Sequence, residues 1–271
     1  MEKKGYDKIV GYKEIKAMLK RTAQKERGFN AYIFNGEKGC GKGTMARLFA
    51  MAMLCEKHTG EPCMECPSCK KAIANNQPDI ITIRHEKEGS IGVEEVRTQL
   101  VDDISIRPFE SRHKIYIIPD ASLMTTQAQN AILKTLEEPP EYAMIILLAD
   151  NIDALLPTIV SRCYTVNFNP LSDAVIEEYL KSDLQISEYY AKIYAALAMG
   201  KIGTAKKLAK SSGLEGKELT YIYNSDRANM EAVATVVQQQ LAEIGVKVNI
   251  ESCDTSTFFP RFFASKDKEQ A

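Results

Sequence analysis

The chain predicts an α/β fold: a parallel sheet with helices on both faces, then a small all-helical domain, then a short β-α-β unit. Three observations predict it. A short apolar strand, a glycine-rich turn and a helix follow one another between residues 31 and 54. Later strands, above all 143–149, are apolar on both faces, as strands of a helix-covered parallel sheet are. From Ser172 the pattern is helical only, and beyond residue 213 it becomes strand, helix, strand.

The elements follow in order. Residues 15–25 read as a helix ending near Gly28, and 31–34 as the first strand. Residues 35–43 form the glycine-rich turn, and 44–54 carry apolar side chains at helical spacing. After a cysteine-rich insert come a strand at 79–83, a helix at 93–104 and a strand at 114–118. A helix at 127–136, the strand 143–149 and a fifth strand at 164–168 complete the sheet. Ser172 is the expected cap of a helix at 173–181, followed by helices at 187–199 and 203–210. Ser211-Ser212-Gly213 reads as a linker. Strands at 219–223 and 246–252 then flank a helix at 229–244, with Val233, Val236, Val237, Leu241 and Ile244 as its apolar face and Gly245 as its stop. The expected domains are 1–168, 169–212 and 213–271.

The 271 residues are 45% hydrophobic and 26% charged, with a net charge of -1. That is globular composition, long enough for more than one domain. The balance of charge argues against a chain that grips nucleic acid by itself. No apolar run reaches the ~18–20 residues of a membrane span. The charged first residues lead into no signal-peptide core, so a cytoplasmic location is expected.

Gly36-Glu-Lys-Gly-Cys-Gly-Lys-Gly-Thr44 nearly matches the phosphate-binding pattern G-x-x-x-x-G-K-[ST], in which backbone N–H groups and the lysine hold phosphates and the next hydroxyl holds Mg²⁺. The candidate nucleotide-binding residues are Gly36, Gly39, Gly41, Lys42 and Thr44, with ATP or ADP as ligand. Gly43 stands where the hydroxyl belongs. Thr44 comes one residue late, which on a helix turns a side chain by ~100°. At the end of the third strand, Pro119 replaces the acid that would hold the metal, leaving Asp120 alone. Bound nucleotide and a relic turn both remain open on these residues.

The spacing Cys55-x7-Cys63-x2-Cys66-x2-Cys69 points to a structural Zn²⁺ site. Thiolates suit tetrahedral zinc, two-residue spacers let sulfurs converge, and four ligands leave no open position. Pro62 and Pro67 favour the turns between them. Reduced buried cysteines or a redox pair are the alternatives. His58 reads as a solvated loop residue, and Cys40, Cys163 and Cys253 as small core residues.

Three stretches together resemble the clamp-loader branch of the AAA+ proteins. They are the cysteine module directly after the phosphate-loop helix, Asn130-Ala-Ile-Leu-Lys-Thr-Leu-Glu-Glu-Pro-Pro140, and Leu156-Pro-Thr-Ile-Val-Ser-Arg-Cys163. The resemblance covers about residues 1–212. It implies that Arg162 is an arginine finger reaching a neighbouring subunit's ATP site. It also sets Gly203, in Met199-Gly-Lys-Ile-Gly-Thr-Ala205, where hydrolysing members carry a sensing arginine. With metal hydroxyl, metal acid and sensing arginine absent, the chain is similar to the delta-prime type of DNA polymerase III, a non-hydrolysing class. Implied partners are tau/gamma motor subunits and a delta subunit in a pentamer, with the sliding clamp and primed DNA met through that complex. An ATP-hydrolysing motor using Lys42 and Asp120 is the alternative within the family. Residues 213–271 resemble instead a fragment of an extracellular oligopeptide-type solute-binding protein, in place of the expected helical collar. This leaves a third reading, a binding module carried by the C-terminal unit, with Phe258, Phe259, Phe262 and Phe263 exposed or docked.

Overall fold

The structure is a computed structural model describing residues 5–25, 30–84, 89–211, 218–226, 229–243 and 247–257. Residues 1–205 and 206–271 form separate compact units. Within the first, helix α1 (Lys13–Lys25) precedes strand β1 (Ala31–Asn35) and helix α2 (Lys42–Met53). Next come α3 (Pro67–Ile73), β2 (Ile80–Thr82), α4 (Val93–Val96), β3 (Lys114–Ile118), α5 (Thr126–Ala131), α6 (Leu133–Glu137), β4 (Ala143–Ala149), α7 (Pro157–Val160) and β5 (Tyr164–Asn167). Helices α8 (Asp173–Leu184), α9 (Glu188–Ala198) and α10 (Ile202–Ser211) follow.

The five strands pair in the order β2-β3-β4-β1-β5, all parallel. Every residue of β3 and β4 is buried, so the alternating side chains of these strands feed two separate cores. On one face Tyr32, Phe34, Ile115, Ile117, Ile146 and Leu148 pack against Leu19 of α1 and Met45 and Phe49 of α2. On the other, Ile33, Tyr116, Ile118, Ile145 and Leu147 pack against Val96, Leu100, Ala128, Ile132 and Ile159. Each such aliphatic side chain contributes ~1.5–3 kcal/mol of transfer free energy. The central position of β1 and β4 brings the turns after both strands together at one end of the sheet.

Several elements differ from the sequence expectation. The 93–104 helix is α4 followed by a π-helical segment, Arg97–Val101. The 127–136 helix is broken at Ile132 into α5 and α6. Ser172 stands at the N-cap of α8, but its side chain accepts no capping hydrogen bond. Pro67 is the first residue of helix α3 rather than part of a loop, and there its missing N–H costs nothing. The end of α1 near Gly28 and residues 212–213 of the linker lie outside the described residues.

Just before β2, the buried Asp79 carboxylate accepts the backbone N–H groups of Phe109, Glu110 and Ser111, ahead of β3, at 2.6, 3.0 and 2.8 Å. Next to these amides the Phe109 ring is 85% exposed.

In the second unit, β6 (Glu218–Asn224) and β7 (Lys247–Cys253) are paired in parallel and joined through α11 (Met230–Glu243). The helix buries Ala234, while Val233 and Val236, expected in its core, are 47% and 50% exposed. Val248 is buried as the strand alternation requires. Gly245, Ile244 and the four phenylalanines beyond residue 257 lie outside the described residues, as does the side chain of Leu241. Among the described residues no helix is long and apolar enough to cross a membrane.

Candidate functional site

The phosphate-like loop joins β1 to α2. Gly39 and Gly41 adopt positive φ of 93° and 101°, backbone that costs glycine little. Gly36, Gly39 and Gly41 therefore occupy the loop as expected, and Lys42 opens the helix. The lysine is almost fully buried. Its Nζ donates to Gly36 O at 2.8 Å and to the Asp150 carboxylate at 2.5 Å. Asp150 directly follows β4. Its role was not foreseen, although an acid closing the most apolar strand of the sheet was the available signal. Gly43 and Thr44 are both exposed, in the first turn of α2. Pro119 and Asp120 follow β3, and Asp120 takes a left-handed backbone (φ 51°) before a short 3₁₀ turn without capping it. The metal-binding pair expected of a hydrolytic site is thus absent at both Gly43 and Pro119.

The start of α10 lies on the loop. Gly203 N–H donates to Gly39 O at 2.8 Å. A Cβ built on Gly203 would stand 2.9 Å from Gly39 O and 3.1 Å from Gly39 Cα. Only glycine permits this approach, so a long side chain at 203 and the observed contact exclude each other. Lys201 pairs with Glu37 of the loop at 2.9 Å.

Arg162 lies just after α7. Its Nη2 pairs with Glu137 Oε1 at 2.6 Å, and Nη1 donates to Thr158 O at 2.9 Å. The Glu-Glu-Pro-Pro and Ser-Arg-Cys stretches therefore meet through one ion pair. The guanidinium remains partly exposed.

The four cysteines converge. Their sulfurs all lie within 4.8 Å of one another, and Cys63 and Cys69 Sγ are 4.0 Å apart. Tetrahedral zinc with Zn–S of about 2.3 Å separates its sulfurs by ~3.8 Å, so the donor set fits the ion with small adjustments. Cys66 caps α3, its sulfur accepting from Cys69 N–H at 3.4 Å, and Cys63 Sγ accepts from Cys66 N–H at 3.3 Å. Burial raises the Cys63 thiol, but the N–H groups of Glu65 and Cys66 and its sulfur neighbours outweigh it and bring the pKa down to about 7. Burial pushes Cys55 and Cys69 up. A bound metal would hold all four as thiolates. The module is seated on α1: Gly60 leaves no room for a Cβ against Lys20 O, and Lys20 pairs with Glu61 at 2.8 Å. His58 is exposed. Cys40 is buried and Cys163 half-buried, while Cys253, half-buried, belongs to the second unit.

The family profile described as "DNA polymerase III, delta subunit" matches residues 11–172, more than half of the chain. The chain belongs to this family. Among curated relatives it is 35% identical to the DNA polymerase III subunit delta' of Bacillus subtilis, over 67% of this chain and 54% of that protein. It is 33% identical to the subunit gamma of Buchnera aphidicola, over 74% of this chain and 56% of the relative. It is also 33% identical to the Bacillus subtilis subunit tau, over 75% and 37%. The chain thus spans about half the length of the first of these relatives, and less of tau. The RuvB Holliday junction branch migration motor of Thermotoga maritima superposes at a TM-score of 0.54 with 15% identity, covering 77% of this chain and 63% of that one. That likeness is one of fold alone. A second profile, the middle region of bacterial extracellular solute-binding proteins of family 5, matches residues 158–269. The two profiles overlap at residues 158–172, and the second covers less than half of the chain.

Proposed function

We propose that this chain is a clamp-loader subunit of the delta-prime type that does not hydrolyse ATP and presents Arg162 to a neighbour's ATP site. The observation that carries this reading is the state of Lys42. Its ammonium, the charge that would receive phosphate, is held by Asp150 and Gly36 O, while Gly203 brings α10 onto the Gly39 carbonyl. Gly43 and Pro119 supply no metal ligand. Without a metal and a disengaged lysine, charge developing on a γ-phosphate finds no stabilisation here.

Arg162 acts outward. Leaving Glu137, its guanidinium would stabilise the transition-state charge of phosphoryl transfer on the adjacent subunit, an effect on the order of 10³–10⁵ in rate for arginine fingers. Cys55, Cys63, Cys66 and Cys69 hold Zn²⁺, which fixes the module against α1 and has no open position for chemistry. The domains in this reading are 1–168, a helical lid at 169–212 and a C-terminal unit at 213–271. The partners are tau/gamma motor subunits and delta, with the sliding clamp and primed DNA engaged through the complex, in the cytoplasm.

The test is reconstitution with the motor and delta subunits of a matched system. Arg162→Ala should leave co-elution on size exclusion unchanged and lower clamp-stimulated ATPase by at least tenfold. Full ATPase with Arg162→Ala would refute the finger. A motor role is the second reading, favoured by the gamma and tau relatives at 33% identity, against 35% for delta'. It requires turnover by the isolated chain that Lys42→Ala abolishes.

A further inference from the structure

Beside the phosphate loop, on the β2 side of α2, a cavity of about 510 Å³ opens at the C-terminal ends of β2 and β3. Gly43 and Pro119, the two positions that have lost metal ligands, both line it. So do two arginines, Arg47 of α2 and Arg84 after β2, together with Asn75 and Thr82. No described residue on its wall is an aspartate or glutamate. Arg47 is held in place, since its Nη2 donates to Ala72 O at 2.6 Å and to Ile73 O at 3.2 Å. Residues 36–41 of the phosphate loop do not line the cavity, and Lys42 is engaged elsewhere.

We infer that this cavity is an anion site that takes a phosphate group directly on Arg47 and Arg84, without a metal ion. A working phosphate-loop domain needs a hydroxyl and an acid around this point because a divalent cation bridges protein to phosphate. Here both cation ligands are gone, and the charged residues among those described on the wall are the two arginines. Arginine forms paired hydrogen bonds with phosphate oxygens, and the Asn75 amide and Thr82 hydroxyl are further donors. The volume lies in the range of small-ligand clefts and exceeds one phosphate ion, so the ligand is a phosphate carried on a larger group or a linked pair. Free pyrophosphate and the backbone of a nucleic-acid strand share that chemistry.

The experiment uses the full chain in Mg²⁺-free buffer, with pyrophosphate followed by titration calorimetry and a short labelled oligothymidine strand followed by anisotropy. Arg84→Gln changes an exposed side chain. Thr82→Glu, also exposed, places a negative charge on the wall, and circular dichroism and zinc content check the fold of each variant. Binding of either probe, weakened at least tenfold by both substitutions, supports the site, and which probe binds identifies the source of the phosphate. Binding by neither probe, binding that requires Mg²⁺, or binding indifferent to Arg84→Gln overturns it. No partner subunit enters the assay, so the result stands apart from the role proposed for Arg162.

Discussion

Two glycines in helices should respond to alanine with opposite signs. At Gly203 the new Cβ would meet Gly39 O at 2.9 Å and Gly39 Cα at 3.1 Å, against the 3.3–3.6 Å of the closest ordinary C···O contacts. Both neighbours are backbone and cannot swing aside. Overpacking of this kind costs about 1–3 kcal/mol, and withdrawal of α10 would also weaken the 2.8 Å hydrogen bond to Gly39 O, worth ~0.5–1.5 kcal/mol. Alanine returns about 0.5–1 kcal/mol of helix propensity. The net expectation for Gly203→Ala is a loss of about 2 kcal/mol, localised at the loop. At Gly43 a Cβ would find only Leu148 Cδ1, at 3.8 Å, so Gly43→Ala should stabilise by up to ~1 kcal/mol. Hydrogen exchange resolved to peptides reads both. Gly203→Ala should speed exchange around residues 36–41 and 202–205 by about tenfold or more, the equivalent of at least 1.4 kcal/mol, and Gly43→Ala should slow exchange in α2. If Gly203→Ala leaves the loop as protected as before, the backbone contact between α10 and Gly39 is not what holds them together.

Further outcomes follow from the same geometry. Purified chain should carry one zinc per molecule by elemental analysis, and Cys69→Ser should abolish it and raise exchange across residues 55–73, since a structural zinc site contributes its binding energy to folding. Asp150→Ala should leave the buried Lys42 ammonium with the Gly36 carbonyl alone, at a cost of ~1–2 kcal/mol after allowance for the exposed side of the pair, measured by denaturant unfolding of the first unit. Burial pushes the Cys163 thiol up to about 12, so it should resist alkylation at pH 8 in native protein and react on unfolding. The sign follows: a raised folded pKa favours the protonated form, so its contribution is complete below the unfolded value of about 8.5 and fades as pH rises toward 12.

What could be read from the sequence divides along physical lines. β4 was legible residue for residue because a strand buried on both faces leaves an unbroken apolar run, and β3 because an aromatic and three isoleucines follow Lys114. The cysteine cluster was legible because ligand spacing is a local property. The break at Ile132 and the π-helical segment at Arg97–Val101 were not, since both arise from packing between α4, α5 and the sheet and no glycine or proline marks them. Lys42 was read as a phosphate ligand, but its partner Asp150 lies 108 residues away, brought close by the adjacency of β1 and β4. Arg162 was recognised, its engagement with Glu137 was not. In the C-terminal unit the valine stripe of α11 gave the right helix but misplaced Val233 and Val236, which are exposed, while Val237 is half-buried and the side chains of Leu241 and Ile244 lie outside the described residues. Periodicity reports that a face is apolar, and with two strands to cover it, the small Ala234 makes the close approach while Val233 and Val236 stay in solvent.

The Asp79 carboxylate has a consequence for how motion is distributed over the surface. Loops normally trade their amide protons with water quickly, because no neighbouring element occupies them. At residues 109–111 three consecutive amides point into a single buried acceptor, much as the first turn of a helix surrounds an anion. This stretch has no regular secondary structure and carries one of the most exposed rings among the described residues, yet its protons should persist like those of a core strand. Rigidity here is set by one side chain at the edge of the sheet, and replacing Asp79 with asparagine, which halves the acceptor capacity, would turn a fixed surface feature into a fluctuating one.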